Sequence, residues 1–279
     1  MLKQRVLTAF VLLAVLLPAL FIEWPMPFLA LTLAMVGAAA WEWGRLNGAS
    51  FNTSLAMGAG LVIACAAAWA LGWIGSSARA AWWLACTAWL LGGAVALRGG
   101  PQAWPSLPGT ARCLLGLFML WTAWLAMASA KVIGVNFLMS VFCLVWTADI
   151  AAYAGGRTFG RNKLAPSISP GKSWEGVWSG ALGVMVLAAG WILADKLAWL
   201  GSPSLFTLLW QRFSLAGLVL GVILLTAMSV VGDLVESLAK RAAGAKDSSN
   251  LLPGHGGVLD RIDALIPVLP LAALIGSRL

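Results

Sequence analysis

The sequence predicts an all-α, polytopic integral membrane protein of about nine transmembrane helices, and three observations carry that reading. Hydrophobic residues make up 61% of the 279, and charged residues only 10%, against about 25% charged in a soluble domain. The mean hydropathy is +0.90. The apolar runs are solid rather than alternating, which argues against a barrel. A chain of this length cannot clothe a water-facing surface with so few charges.

At roughly 20 apolar residues per span, the runs fall near 6–22, 27–43, 55–74, 80–97, 112–130, 133–155, 174–194, 214–232 and 262–277. The first follows Lys3 and Arg5 and leads straight into further spans, so it reads as a retained helix rather than a signal peptide. Glu23, Pro25 and Pro27 crowd the start of the second. Pro267 and Pro270 lie inside the last, where neighbouring helices can satisfy the freed carbonyls. Cys65, Cys86, Cys113 and Cys143 lie one apiece in apolar segments with no CxxC pair, which argues against a metal cage or a disulfide framework. Of the 17 tryptophans, many are explained by interfacial belts, with clusters at Trp82-Trp83 and Trp121/Trp124.

The net charge is +8. In a soluble chain that balance points to nucleic acid. Here the cations sit in short loops, so they read as membrane orientation plus attraction to anionic lipid or phosphate, with no nucleic-acid partner. With a cytoplasmic N-terminus, nine spans put Lys3, Arg5, Arg45, Arg98, Arg112, Arg157, Arg161, Lys163, Lys172, Lys240, Arg241, Lys246 and Arg261 inside. Arg79, Lys131, Lys196, Arg212 and Arg278 fall outside. That is 13 of 18 cations on the inner face, the bias expected of cytoplasmic loops. The chain divides into an N-terminal scaffold, 1–131, which is also the candidate dimerisation region, and a catalytic region, 132–279, with cytoplasmic loops 155–173 and 233–261.

Acids are rarer still. Only Glu23 and Glu42 precede residue 149; the others are Asp149, Glu175, Asp195, Asp233, Glu236, Asp247, Asp260 and Asp263. All of these later acids except Asp195 lie in or beside the two inner loops. An acid inside or flanking a span is costly, so each is a candidate functional group. In the first polar segment, Asp149 and Tyr153 are four residues apart and share a helical face. Arg157, Arg161, Lys163 and Lys172 follow among glycines, with Ser169, Ser173 and Glu175 close by. This suits a phosphate-bearing ligand, although an orienting loop with turn glycines fits equally. Gly171-Lys172-Ser173 ends like a P-loop, but Pro166 stands where that motif needs glycine and no strand precedes it, so that reading fails.

In the second segment, Asp233, Glu236, Ser237, Lys240 and Arg241 lie on one helical face. Lys246 and Asp247 follow, then a glycine-rich loop through His255, then Asp260, Arg261 and Asp263. Two helix ends with paired carboxylates can pinch a divalent cation, and hard oxygen donors point to Mg²⁺ rather than zinc. The competing reading is a salt-bridge ladder of Glu236 with Lys240 and Asp260 with Arg261. His255 is the only histidine, which rules out a His-based metal triad. A general base, a phosphate donor and a backbone-held loop residue all remain open for it.

The run Ser237-Leu-Ala-Lys240-Arg241-x4-Lys246-Asp247-x5-Pro253-Gly-His255-Gly256-Gly257-x2-Asp260-Arg261-x-Asp263 resembles the signature of the phosphatidate cytidylyltransferase (CDP-diacylglycerol synthase) family. Gly156-Arg157-x2-Gly160-x2-Lys163-x2-Pro166 and Ser169-Pro170-x-Lys172-Ser173-Trp174-Glu175-Gly176 resemble it too, with Gly171 where members often carry a second lysine. The resemblance covers roughly 145–265. It implies a reaction joining CTP and phosphatidic acid into CDP-diacylglycerol and pyrophosphate, with Mg²⁺, at the cytoplasmic face of the inner membrane. It further implies K⁺ and a homodimer. On this resemblance Asp233 and Asp260 are direct metal ligands, with Glu236 and Asp263 behind them. Lys240, Arg241, Lys246 and Arg261 neutralise the triphosphate, and Asp247 and His255 complete the catalytic set. Arg157, Lys163 and Lys172 hold phosphatidate or pyrophosphate, and Asp149, Tyr153, Ser169, Ser173, Glu175 and Ser237 complete the substrate set. A CTP-dependent lipid kinase and a cation-coupled transporter are the rival readings. The transporter predicts acids spread through mid-span positions or inverted repeats, whereas here the acids cluster at one face and no repeat is visible.

Overall fold

The computed structural model describes residues 2–197 and 201–277. The expected outer cation Arg278 lies outside the described residues, as do the side chains of Lys3 and Arg5. Among the described residues ten α-helices run in the order α1 (Leu2–Phe21), α2 (Met26–Leu46), α3 (Phe51–Ala70), α4 (Arg79–Ala103), α5 (Gly109–Ile133), α6 (Val135–Phe159), α7 (Trp174–Lys196), α8 (Leu205–Ala242), α9 (Leu259–Ile262) and α10 (Leu265–Gly276). A two-stranded antiparallel hairpin, β1 (Lys163–Ala165) and β2 (Ser169–Ser173), joins α6 to α7. Seven of the described helices, α2 to α8, are long and apolar enough to cross a membrane.

Two expected boundaries are corrected. The last span, expected at 262–277, is a single turn, α9, followed by a 12-residue helix. At 1.5 Å per residue α10 rises about 18 Å, short of the roughly 30 Å hydrocarbon slab. Its side chains are apolar all round and it packs against α4, α5, α6 and α8, so it is the buried centre of the bundle. The inner loop expected at 233–261 is mostly helix to Ala242, because α8 runs 38 residues with a break at Ser214 (φ 62°, ψ −168°). The expected span start falls at that break. Only 243–258 is loop.

The α6–α7 pair shows how the sequence brings backbones together. A side chain at Gly155 would run into Ser179, one at Gly176 into the Ala152 carbonyl, and one at Gly180 into the Ala148 carbonyl. Small residues on that seam let the helices approach closely, as membrane packing favours. Several tryptophans also serve packing rather than a belt. Trp82 and Trp124 are each 1% exposed, and the Trp124 indole N–H donates to Thr32 Oγ1 at 3.2 Å.

Polar groups at the end of the bundle away from the hairpin complete helix ends. The Lys131 ammonium donates to the Leu20 and Ile22 carbonyls at the end of α1, and the Arg212 guanidinium to the Ile275 and Ser277 carbonyls at the end of α10. Asp195, the one late acid away from the inner loops, accepts from the Ser204 N–H (2.9 Å) and the Thr207 hydroxyl (2.5 Å) at the start of α8. These contacts meet the orphan carbonyls and amides that every helix terminus leaves.

Candidate active site

The hairpin is pinned at its base by its own sequence. Ser173 ends β2 and caps α7, its hydroxyl oxygen accepting the Gly176 N–H at 3.2 Å. Glu175, in the first turn, accepts from the Asn162 side-chain amide at 2.8 Å and from the Asn162 N–H. Both side chains are thereby engaged by the protein itself. The pinned hairpin presents Lys172, whose Nζ lies 2.6 Å from Asp233 Oδ2 on α8.

On α8 the helical spacing works as the sequence implies. Asp233 Oδ1 accepts from the Ser237 hydroxyl at 3.2 Å. Lys240 forms an ion pair with Glu236 one turn back and donates to Asp260 Oδ1 across the loop at 2.5 Å. The ladder of Glu236 with Lys240 is therefore present, but it continues to Asp260 rather than ending on the helix. Arg261 is not its partner in the loop; it donates to the His255 carbonyl at 2.7 Å. Gly232 sets the approach of α9–α10, since a Cβ there would meet the Asp263 carbonyl and Pro267.

Asp260 is held by a dense set of donors. Its Oδ2 accepts from the Ser248 N–H (2.9 Å), the Ser248 hydroxyl (2.9 Å) and the Gly257 N–H (2.8 Å). Burial pushes this carboxyl up, but the Lys240 ammonium and those amide donors outweigh it and hold it down at about 2.

These groups form one electrostatic cluster. Asp149 interacts with Lys172 and Asp233, Asp263 with Asp233, Lys172 and Lys240, and Glu236 with Asp263, Lys240 and Asp260. Five carboxyl groups face two ammonium groups. Neither Glu236 oxygen accepts a directed hydrogen bond; its Lys240 contact is a charge pair. A set of carboxyl oxygens suits a hard divalent cation. Among the described residues no three such ligands are already gathered into a cage, and Lys172 and Lys240 are paired with Asp233 and Asp260.

The remaining expected residues lie on α6, the hairpin, the end of α8 and the loop after it, and on α9. Arg157, Lys163, Arg241, Lys246, Asp247 and Arg261 are exposed, with Arg241 donating to the Ala245 carbonyl at 2.9 Å. Ser169 sits in β2 opposite Ala165. Tyr153 is 70% exposed on α6, one turn beyond Asp149. The His255 Nδ1 has no hydrogen-bond partner among the described residues. Beside the cluster lies an apolar cavity of about 350 Å³, lined by Trp43, Trp89 and Trp104 and reaching Gly232, Glu236 and Asp263.

Sequence reasoning gave no site role to three residues that the structure brings here. Glu42 of α2 accepts from Ser248 and Ser249 in the loop that carries Asp260. The available signal was an acid inside an apolar span of the otherwise acid-poor first half.

An acidic, lysine-bridged cluster at one end of an apolar bundle, beside an apolar cavity, defines a membrane protein that handles charged groups at a lipid boundary. Comparison with known proteins is specific. A family model described as the cytidylyltransferase family matches residues 3–278. A phosphatidate cytidylyltransferase of Pseudomonas aeruginosa is 38% identical over 279 residues, covering 98% of this chain and 96% of that protein. One from Haemophilus influenzae is 47% identical over 137 residues, 49% of this chain and 44% of its own. A chloroplastic phosphatidate cytidylyltransferase of Arabidopsis thaliana is 37% identical over 151 residues, 54% of this chain and 34% of its own. The chain belongs to the cytidylyltransferase family.

Proposed function

We propose that the protein transfers the cytidylyl group of CTP to phosphatidic acid, giving CDP-diacylglycerol and pyrophosphate. The observation that carries this reading is the cluster of Asp149, Asp233, Glu236, Asp260 and Asp263 with Lys172 and Lys240, placed against an apolar cavity. The names of the similar proteins support it.

In this reaction a phosphate oxygen of the lipid attacks the α-phosphorus of CTP. A new P–O–P bond forms, the bond from the α-phosphorus to the oxygen bridging to the β-phosphorus breaks, and pyrophosphate leaves with the electron pair. The protein's work is alignment and charge stabilisation. Asp233 and Asp260 would hold Mg²⁺, with Glu236 and Asp263 behind them. When bound, a divalent cation neutralises the triphosphate and stabilises the leaving oxygen. Lys172 and Lys240 hold the carboxylates apart and in register. Exposed Arg157 and Lys163 on one side, and Arg241, Lys246 and Arg261 on the other, attract the two anionic substrates. The apolar cavity takes part of an acyl chain beside the acids.

We place this end of the bundle at the cytoplasmic face of the inner membrane, on the strength of the cation bias. K⁺ as a second cation and a homodimer are parts of the proposal that the family resemblance alone supports.

Radiolabelled CTP tests the reading against the lipid-kinase alternative. Label in the cytosine ring enters the lipid fraction and γ-phosphate label leaves as pyrophosphate. Transfer of the γ-label to lipid, with the ring label left in water, contradicts the proposal.

A further inference from the structure

We infer that Glu42, far away in the N-terminal half, is a positioning residue for the reaction: it clasps the loop that delivers Asp260. The inference rests on reading Asp260 as part of the reaction site. Glu42 lies in α2 with 0% of its surface exposed. Its carboxylate accepts from the Ser248 hydroxyl (3.2 Å), the Ser249 hydroxyl (2.5 Å), the Val258 N–H (2.9 Å) and the Leu259 N–H (2.6 Å). All four donors belong to one stretch, 248–259, between 206 and 217 residues away in the chain. An acid buried within an apolar helix is costly, and these four bonds are what repay its loss of water.

The geometry ties this acid to the site rather than to the fold in general. The Ser248 hydroxyl has one hydrogen, and it lies between Glu42 Oε2 and Asp260 Oδ2. The Ser248 N–H also goes to Asp260. The Val258 and Leu259 amides held by Glu42 immediately precede Asp260 in the chain. Glu42 and Asp260 therefore grip the same two ends of the loop from opposite sides. Gly257 stands between them, and a Cβ there would collide with both Ser248 Oγ and the Glu42 carboxylate. The Thr8 hydroxyl adds an outer tie, donating to the Pro253 carbonyl at 2.9 Å.

Glu42→Gln keeps the volume but turns an NH₂ group toward backbone N–H donors that cannot reverse. In the purified full-length protein, hydrogen–deuterium exchange at the amides of 248–259 should rise at least about ten-fold, with α6 unchanged. The kcat per folded enzyme should fall roughly 10- to 100-fold, by more than KM for either substrate rises, as expected for a displaced group. Ser248→Ala removes the shared hydroxyl while leaving the buried acid in place, and should move both readouts in the same direction by less. It keeps the question answerable if Glu42→Gln fails to fold. Unchanged exchange at 248–259 in these variants would overturn the inference. Faster exchange with kcat per folded enzyme within about two-fold of wild type would overturn it as well. A wild-type protein that does not convert CTP and phosphatidate contradicts the functional reading instead, and the exchange result, which needs no turnover, tells the two failures apart.

Discussion

Asp260 and Asp233 differ in how the protein uses them, and the difference sets what their loss should do. Asp260 has three donors on one oxygen and Lys240 on the other, with only 5% of its side chain exposed. Asp233 is met by Lys172 and Ser237 and stays 30% exposed. An amide in place of either carboxylate keeps the shape but removes the negative charge that opposes a lysine. We expect Asp233→Asn and Asp260→Asn each to lower kcat at least about 100-fold. Asp233→Asn should leave detergent melting near wild type. Asp260→Asn should lower it, because a buried Lys240 then loses one of its two ion-pair partners. Wild-type turnover in either variant contradicts the assignment. Residues whose partners lie along one helix were legible from spacing alone, Glu236 with Lys240 above all. Lys172 opposite Asp233 was not, because a hairpin and a long helix had to meet first.

The close meeting of α8 with the α9–α10 junction depends on one missing side chain. A Cβ at Gly232 would meet the Asp263 carbonyl and Pro267, whereas one at Gly190 on α7 meets nothing within 4 Å. Gly232→Ala should therefore cost about 1–3 kcal/mol by overpacking and move Asp260 and Asp263 relative to Asp233, lowering kcat. Gly190→Ala should be neutral or slightly stabilising, since alanine is the better helix former. Melting in detergent and turnover on the same preparations check both. The long apolar helices were readable as hydropathy runs, since length and composition decide them. The division of the last run into α9 and α10 was not, because buried and lipid-facing helices are equally apolar. The short β-hairpin was also hidden, its strands being 3 and 5 residues long.

For the whole molecule, the charge bias predicts sidedness. Arg161 and Lys196 are exposed at opposite ends of the bundle. With the native cysteines replaced by serine, Lys196→Cys should react with a membrane-impermeant maleimide in intact cells. Arg161→Cys should react only after permeabilisation, and the reverse pattern refutes the orientation. The apolar cavity beside Glu236 and Asp263 carries a thermodynamic consequence at this scale. Drawing a methylene out of lipid into water costs about 0.8 kcal/mol, so extracting two chains of some fifteen carbons costs on the order of 25 kcal/mol. On the proposed function, a site whose acids border an apolar pocket removes that barrier by letting the tails stay in oil while only the headgroup changes. The nucleotide then does the travelling, in three dimensions, while the lipid substrate and its product diffuse in the plane of the sheet they never leave.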